Sequence, residues 1–229
     1  MATVQGVLSD YYNVDGSLIY PRMQLGAEQD SAYILYNGVP FMYTADWFRY
    51  AIYNDPSWDP ATFGLLDAAN AAALNPFNIE TWEGDISPFA SRGGKLLTFH
   101  GLQDGLISSE NSARYYNHVS RTMSLPSSKL DDFYRYFRIS GLGHCGGGPG
   151  AANFGQASYA VVGSEEEKNI VLQLVAWVEE GKAPESILGS KLVNGQVVGE
   201  RNHCKYPKRN IYKGPGSYDD ASAWECILD

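Results

Sequence analysis

The sequence predicts an α/β fold in which short parallel strands alternate with helices. A short apolar run, a glycine-rich loop and an amphipathic segment follow one another from residue 92, and the same order repeats from residue 133. Strands that alternate with helices form parallel sheets, and ligands and catalytic groups gather at the carboxyl ends of their strands. We therefore expect two neighbouring strands of such a sheet within residues 91–229.

The first unit begins with LLTFH, residues 96–100, a largely apolar run that is typical of a buried strand. The loop GLQDG follows, and Ser108 or Ser109 is placed to cap the next helix. The expected core face of that helix has residues spaced by four: Tyr115, Val119 and Met123.

The second unit begins with a strand over residues 133–139, in which aromatic residues alternate. Ser164 and Glu167 have the spacing of a capping box, and Gly181 is a typical helix stop. The residues expected on the buried face of the helix between them follow the helical period: Ile170, Val171, Leu174, Trp177 and Val178.

Residues 1–90 are different in character, with frequent Gly and Pro and one plausible helix in YTADWFRYAIY. The acidic turns near Asp10 and Asp15 lack the alternating acidic ligands and the closing Glu of a calcium loop. We expect solvated turns there, and no metal site.

Composition excludes several classes of partner. The chain has 44% apolar and 19% charged residues, which is typical of a globular protein, and a net charge of −9 with no basic patch for a nucleic acid. No apolar run approaches the ~20 residues that span a bilayer, and the N-terminus lacks the features of a signal peptide. We expect neither a nucleic-acid nor a membrane partner.

Three cysteines leave one unpaired after any single disulfide. Cys204 and Cys226 flank a polar, turn-rich tail in which a covalent link could replace a missing core. A bridge there would indicate an oxidising, secreted context.

The stretch FRISGLGHCGGGPG, residues 137–150, fits three chemical templates. Its glycines match a dinucleotide-binding turn, Cys145 stands where a nucleophile elbow has its serine, and His144 could be a base on a mobile loop that its glycines make flexible. The first two templates need a helix directly after the turn, and the next favourable cap is Ser164. We retain a Cys145 hydrolase, with His203 as its base, as the weaker alternative.

His144 needs a carboxylate to orient its ring, and Asp104 in GLQDG is the expected partner. Both follow a predicted strand, and the order Asp then His is that of the last two members of a hydrolase triad. The serine is not evident, because residues 1–103 contain no G-x-S-x-G turn and neither Ser17 nor Ser91 stands in such a context.

Three segments resemble the C-terminal half of the tannase and feruloyl esterase family: HGLQDGLISSENSARYYNHV, FYRYFRISGLGHCGGGPGAANFGQ and CKYPKRNIYKGPGSYDDASAWEC. The matching motifs run from about residue 90 to the end, and the GHCGGGPG block is the most specific. The resemblance implies a secreted α/β-hydrolase that cleaves phenolic acid esters. Residues 1–90 would be a remnant of the lid domain and residues 91–229 the C-terminal part of the parallel sheet.

By this resemblance Asp104 is the acid, His144 is the base, and Cys145 belongs to a disulfide that holds serine and histidine together. Cys204 and Cys226 match the C-terminal disulfide of the family. The serine, the partner of Cys145 and the calcium loop of the lid would all precede Met1, so we expect no cofactor in this chain. An N-terminal chain linked through Cys145 is then an expected partner, and an inactive fragment or processed subunit is the main alternative.

Overall fold

A computed structural model describes residues 2–228 of the chain. Eight α-helices lie within this range: α1 Ala2–Val7, α2 Glu28–Ile34, α3 Met42–Asp46, α4 Leu65–Leu74, α5 Ser87–Ser91, α6 Glu110–Thr122, α7 Ser127–Leu130 and α8 Ile170–Glu180. Eight strands accompany them: β1 Tyr11–Tyr12, β2 Leu18–Tyr20, β3 Leu96–Gly101, β4 Tyr134–Ile139, β5 Ser186–Val193, β6 Gln196–Cys204, β7 Arg209–Tyr212 and β8 Trp224–Ile227. No helix among residues 2–228 combines the length and the apolar character of a membrane span.

The two strands expected from the sequence, β3 and β4, form a parallel pair. Their register runs without interruption from Leu96 opposite Tyr134 to Gly101 opposite Ile139. The pair therefore ends in step, which places the two following loops at one edge of the sheet.

The other strands of residues 2–228 form three antiparallel pairs, which are not among the elements predicted from the sequence. The largest is β5–β6, joined by Asn194 and Gly195, both with positive φ. An Asn-Gly pair between strands is a strong hairpin signal, because both residues tolerate the left-handed conformation that a tight turn requires. Within this range the parallel pairing is thus limited to β3 and β4, the two strands that the sequence predicts.

Helix α6 packs on one face of β4, but with a different set of residues from the expected one. Its buried side chains are Ala113, Tyr116 and Val119, and they share a core cluster with Tyr134 and Tyr136 of the strand. Of the expected face, Val119 is buried, whereas Tyr115 and Met123 lie at the margin of the cluster. Apolar residues spaced by four do not show which of two adjacent positions faces the core. Here the ring of Tyr116 packs against β4, and that of Tyr115 lies at the margin of the cluster.

Helix α8 packs on the opposite face of the sheet, where Ile170 shares a core cluster with Phe137 and Ile139. It begins at a different residue from the one that the sequence predicts. Asn169 is the cap, and its side chain accepts hydrogen bonds from two backbone N–H groups of the first turn. The expected capping box lies earlier, where Glu166–Lys168 forms a separate 3₁₀ turn. The expected stop is correct, since Gly181 ends the helix in the left-handed conformation.

The buried face of α8 is also only partly the expected one. Ile170 and Trp177 are buried as expected, whereas Val171 and Val178 are more than half exposed. Gln173 takes a core position because its amide donates to two backbone carbonyls. Apolar periodicity could not separate the two faces, because α8 is apolar around most of its circumference.

The first ninety residues contact the loop after β3. The expected helix is present as α3, continued by a π-helix over Trp47–Ile52. Ser31 on α2 donates to the Gly105 carbonyl at 2.7 Å, and the Tyr20 hydroxyl accepts from the Ser108 N–H at 3.0 Å. Residues 20–31 therefore support the loop that carries Asp104.

Candidate active site

Asp104 and His144 lie together at the carboxyl edge of the parallel pair. Their side chains are hydrogen-bonded, with His144 Nδ1 2.9 Å from Asp104 Oδ2, although 40 positions separate them in the sequence. The contact follows from the register, because β3 and β4 end in step and each residue lies a few positions beyond its strand.

The two loops can approach so closely because β3 ends in glycine. A Cβ atom at Gly101 would lie 2.3 Å from the Leu142 carbonyl oxygen and 2.4 Å from that of Gly143. Two backbone hydrogen bonds then join the loops: Leu102 donates to Ile139, and Gln103 donates to Leu142. Any larger residue at position 101 would separate the acid from the base.

The carboxylate of Asp104 is buried, with 3% of its surface exposed, yet it is fully satisfied. Its Oδ1 atom accepts from the backbone N–H groups of Leu106 and Ile107 at 2.8 and 2.9 Å. Its Oδ2 atom accepts from the rings of His144 and His100. Burial alone would raise the pKa of this carboxyl, but the hydrogen bonds, with His100 the strongest, hold it well below its usual value. Asp104 is therefore ionised at neutral pH.

An ionised carboxylate can only accept hydrogen bonds, and this fixes the tautomer of His144. Nδ1 carries the proton that is donated to Asp104, so the lone pair of the neutral ring is on Nε2. The side chain is 48% exposed, and Nε2 has no hydrogen-bond partner within residues 2–228. This atom is free to accept a proton from an incoming group.

The glycine-rich loop that carries His144 is closed on itself, whereas the sequence had suggested a flexible chain. Gly150 donates to the Gly141 carbonyl at 3.1 Å, so the two ends of the loop are joined. Gly148 has φ +90°, and a Cβ there would lie 2.2 Å from the Gly141 oxygen. These glycines permit close backbone packing, which holds His144 in place.

Neither turn-based template for this loop has the helix it requires. The next helical turns in the chain are 3₁₀ turns, and the next α-helix, α8, begins only at Ile170. Cys145 is exposed, unpaired and at φ +62°, whereas His203 is fully buried and donates to the Ala151 carbonyl at 2.7 Å. The structure thus gives Cys145 and its suggested base different environments.

His100 is the residue of this site that the sequence analysis missed. The sequence places it only at the end of a strand, whereas its Nε2 atom lies 3.1 Å from Asp104 Oδ2 and its Nδ1 atom 2.7 Å from Ser112 Oγ. The available signal was the short spacing to Asp104 across the end of β3.

Cys204 and Cys226 form a disulfide across 22 positions, as expected. It ties the end of β6 to β8 in the tail of the chain.

Within residues 2–228 no group of three or more His, Cys, Asp or Glu side chains is arranged to hold a metal ion. Asp15 instead accepts hydrogen bonds from Ser17 within its own turn. The described residues therefore do not fit the calcium site that the family resemblance implied for the lid.

Comparisons with known proteins bear on the family of the chain. The family model "Tannase and feruloyl esterase" matches residues 31–227. A probable feruloyl esterase B-2 of Aspergillus terreus is 53% identical and aligns with 99% of this chain and 44% of its own length. The chain thus spans less than half the length of the curated relatives it matches.

Two solved structures share the fold. The crystal structure of feruloyl esterase B from Aspergillus oryzae has a TM-score of 0.96 at 50% identity and covers 99% of this chain and 45% of that chain. A tannin acyl hydrolase from Aspergillus niger has a TM-score of 0.73 at 21% identity and covers 100% of this chain and 42% of that chain. These neighbours are α/β-hydrolase-type enzymes, which confirms that part of the expected fold class. The chain belongs to the tannase and feruloyl esterase family.

Proposed function

We propose that this chain supplies the general base, His144, and its orienting acid, Asp104, to a carboxylic ester hydrolase that cleaves esters of phenolic acids. The observation that carries the proposal is the 2.9 Å hydrogen bond between Asp104 and His144, with Nε2 of the ring left free. Membership of the family and the feruloyl esterase relatives support the substrate class.

In the proposed reaction, His144 Nε2 takes the proton of a serine hydroxyl as the serine oxygen bonds to the ester carbonyl carbon. The tetrahedral intermediate then expels the alcohol, which receives that proton from His144. Water, activated by the same nitrogen, cleaves the acyl-enzyme and releases the phenolic acid. Asp104 remains ionised throughout and stabilises the imidazolium that forms twice in each cycle.

We further propose that the serine comes from a part of the protein outside these 229 residues, because the relatives are more than twice as long. Cys145 would tether that part through a disulfide, and its exposed, unpaired thiol suits this role. Residues 1–90 would belong to the lid and residues 91–229 to the hydrolase core. A secreted location fits the Cys204–Cys226 disulfide, since such bonds persist in oxidising compartments.

The second candidate is a chain with no activity of its own, either a fragment or a subunit that needs an N-terminal partner. The short coverage of the relatives favours it over a self-sufficient enzyme. A hydrolase that uses Cys145 is the third and weakest candidate, because its turn does not lead directly into a helix and the suggested base, His203, is fully buried.

Hydrolysis of methyl ferulate and methyl gallate tests these candidates. We measure turnover by the 229-residue chain alone and by the longer protein that contains it, each with a His144→Ala variant and a His118→Gln control. His118 lies on α6, outside the site, and its Nε2 atom donates to the Trp82 carbonyl oxygen at 3.0 Å. Turnover lost in His144→Ala and kept in His118→Gln supports the proposal, whereas turnover that survives His144→Ala contradicts it.

The same assay separates the alternatives. Activity in the longer protein only identifies the present chain as the dependent part. Alkylation of Cys145 with iodoacetamide in the active form then tests the cysteine mechanism, because a nucleophilic thiol would be blocked completely. Turnover that survives an excess of iodoacetamide excludes that mechanism, whether Cys145 is labelled or is held in the proposed disulfide.

A further inference from the structure

His100 is placed to act on the acid of the site, because its ring contacts the carboxylate of Asp104. The Oδ2 atom of Asp104 accepts hydrogen bonds from two imidazole rings, that of His144 at 2.9 Å and that of His100 at 3.1 Å. The other oxygen is occupied by two backbone donors. The two rings therefore share one acceptor atom.

The hydrogen bonds around His100 define a directed chain. Because Asp104 is ionised, Nε2 of His100 must donate to it, which leaves the lone pair of the neutral ring on Nδ1. That atom lies 2.7 Å from the hydroxyl of Ser112, which can donate to it. The order is thus Ser112 to His100 to Asp104, with His144 donating from the other side.

The surroundings of His100 leave Asp104 as its ionic partner. A cavity of about 260 Å³ borders the ring, and the titratable side chains on its wall besides His100 are Tyr115 on α6 and Tyr134 on β4. Burial raises the pKa of Tyr115 and raises that of Tyr134 to about 12, so both stay neutral. On the side of His144, the carboxylate of Asp30 on α2 faces the glycine-rich loop near Gly143.

We propose that His100, with its ring fixed by Ser112, is a positioning residue: it holds Oδ2 of Asp104 toward His144 and, by sharing that oxygen, limits how strongly the carboxylate attracts the proton of His144. Its catalytic meaning rests on the proposed function. A base that is bound too tightly to its acid would remain protonated at neutral pH and could not accept the serine proton.

Histidine NMR tests this arrangement without any need for turnover. The chain has four histidines, so ¹⁵N-histidine labelling gives a spectrum that single substitutions can assign. In His100→Leu the carboxylate of Asp104 loses one hydrogen-bond donor. Its negative charge then attracts the proton of His144 more strongly. We expect the pKa of His144 to rise by on the order of 0.5 to 1, a threefold to tenfold change in proton affinity.

Conservative variants separate positioning from folding. His100→Gln keeps an amide donor near Asp104 and should return the pKa of His144 close to that of the parent. Ser112→Ala should raise it by less than His100→Leu does, and should have no further effect when both changes are combined, because Ser112 acts through His100. His118→Gln is the matched control, since it removes a histidine that has no contact with Asp104.

The outcomes distinguish this inference from the proposed function. A higher pKa of His144 in His100→Leu, reversed in His100→Gln, supports the inference even if every form of the protein lacks esterase activity. A pKa of His144 that is unchanged or lower in His100→Leu overturns the inference, even if methyl ferulate is hydrolysed. Where turnover is present, the acid limb of kcat/KM should move upward with the pKa of His144.

Discussion

The buried histidine of β6, His203, should make the chain lose stability in mild acid. Its ring is fully buried; Nε2 donates to the Ala151 carbonyl, and Nδ1 has no hydrogen-bond partner within residues 2–228. A proton on Nδ1 would place a charge in an apolar site without a partner. Burial therefore lowers the pKa of His203 from 6.5 to about 4, and the positive charge of Arg201 contributes in the same direction.

The magnitude follows from the difference between the folded and unfolded states. Below pH 6.5 the unfolded chain binds a proton at position 203 that the folded chain does not bind until about pH 4. The free energy of unfolding thus falls as the pH falls through this window. A pKa difference of about 2.5 corresponds to a loss of about 3 kcal/mol by pH 4. Carboxyl groups with lowered pKa values, such as Asp104 and Glu185, add their own losses only below about pH 5.

Urea unfolding between pH 7 and pH 4.5 measures this effect. His203→Gln retains an amide donor for the Ala151 carbonyl but cannot be protonated, so its stability should fall less steeply than that of the parent. The His118→Gln control keeps His203 and should keep the steep fall. Parallel curves for the parent and His203→Gln would refute the reasoning, because the proton would then be taken up elsewhere.

Three other substitutions have expected outcomes. Gly101→Ala forces β3 away from the glycine-rich loop, so esterase turnover should fall at least about tenfold, more than the loss of folded protein measured by circular dichroism explains. Replacing both Cys204 and Cys226 by Ala should lower the free energy of unfolding by about 3 kcal/mol, since the disulfide closes a loop of 22 positions; a loss under about 1 kcal/mol would count against this. Lys205→Met leaves the carboxylate of Asp131 without its closest cation and should lower the free energy of unfolding, measured in urea, by about 3 kcal/mol. The double variant Lys205→Met with Asp131→Asn should recover part of this loss, because it also removes the unpaired charge.

The centre of the site could be predicted from sequence because it depends on chain order and strand ends alone. Asp104 and His144 each follow a short apolar run, and parallel strands that end in step bring such residues together. No side-chain detail was required for that inference. The hydrogen bond itself is what the structure adds.

The predictions from sequence are wrong where one residue pattern is compatible with more than one packing arrangement. Helix α8 is apolar on more than one side, so periodicity did not reveal that Val171 and Val178 are exposed. The glycine-rich loop suggested flexibility, but its glycines serve close backbone contacts. His100 was missed because a residue at the end of a strand gives no indication of which side chain it will meet. Burial and hydrogen bonding decide these points, and neither can be derived from local sequence.

The central claim is that Asp104 orients and stabilises His144 as the base of an esterase. The most direct measurement is kcat and KM for methyl ferulate with Asp104→Asn, made in the form of the protein that turns over this ester. An asparagine of the same shape lacks the charge and can favour the wrong tautomer of His144, so we predict a fall in kcat of about 10³ to 10⁴ with little change in KM. A variant that keeps kcat within about threefold of the parent would contradict the claim.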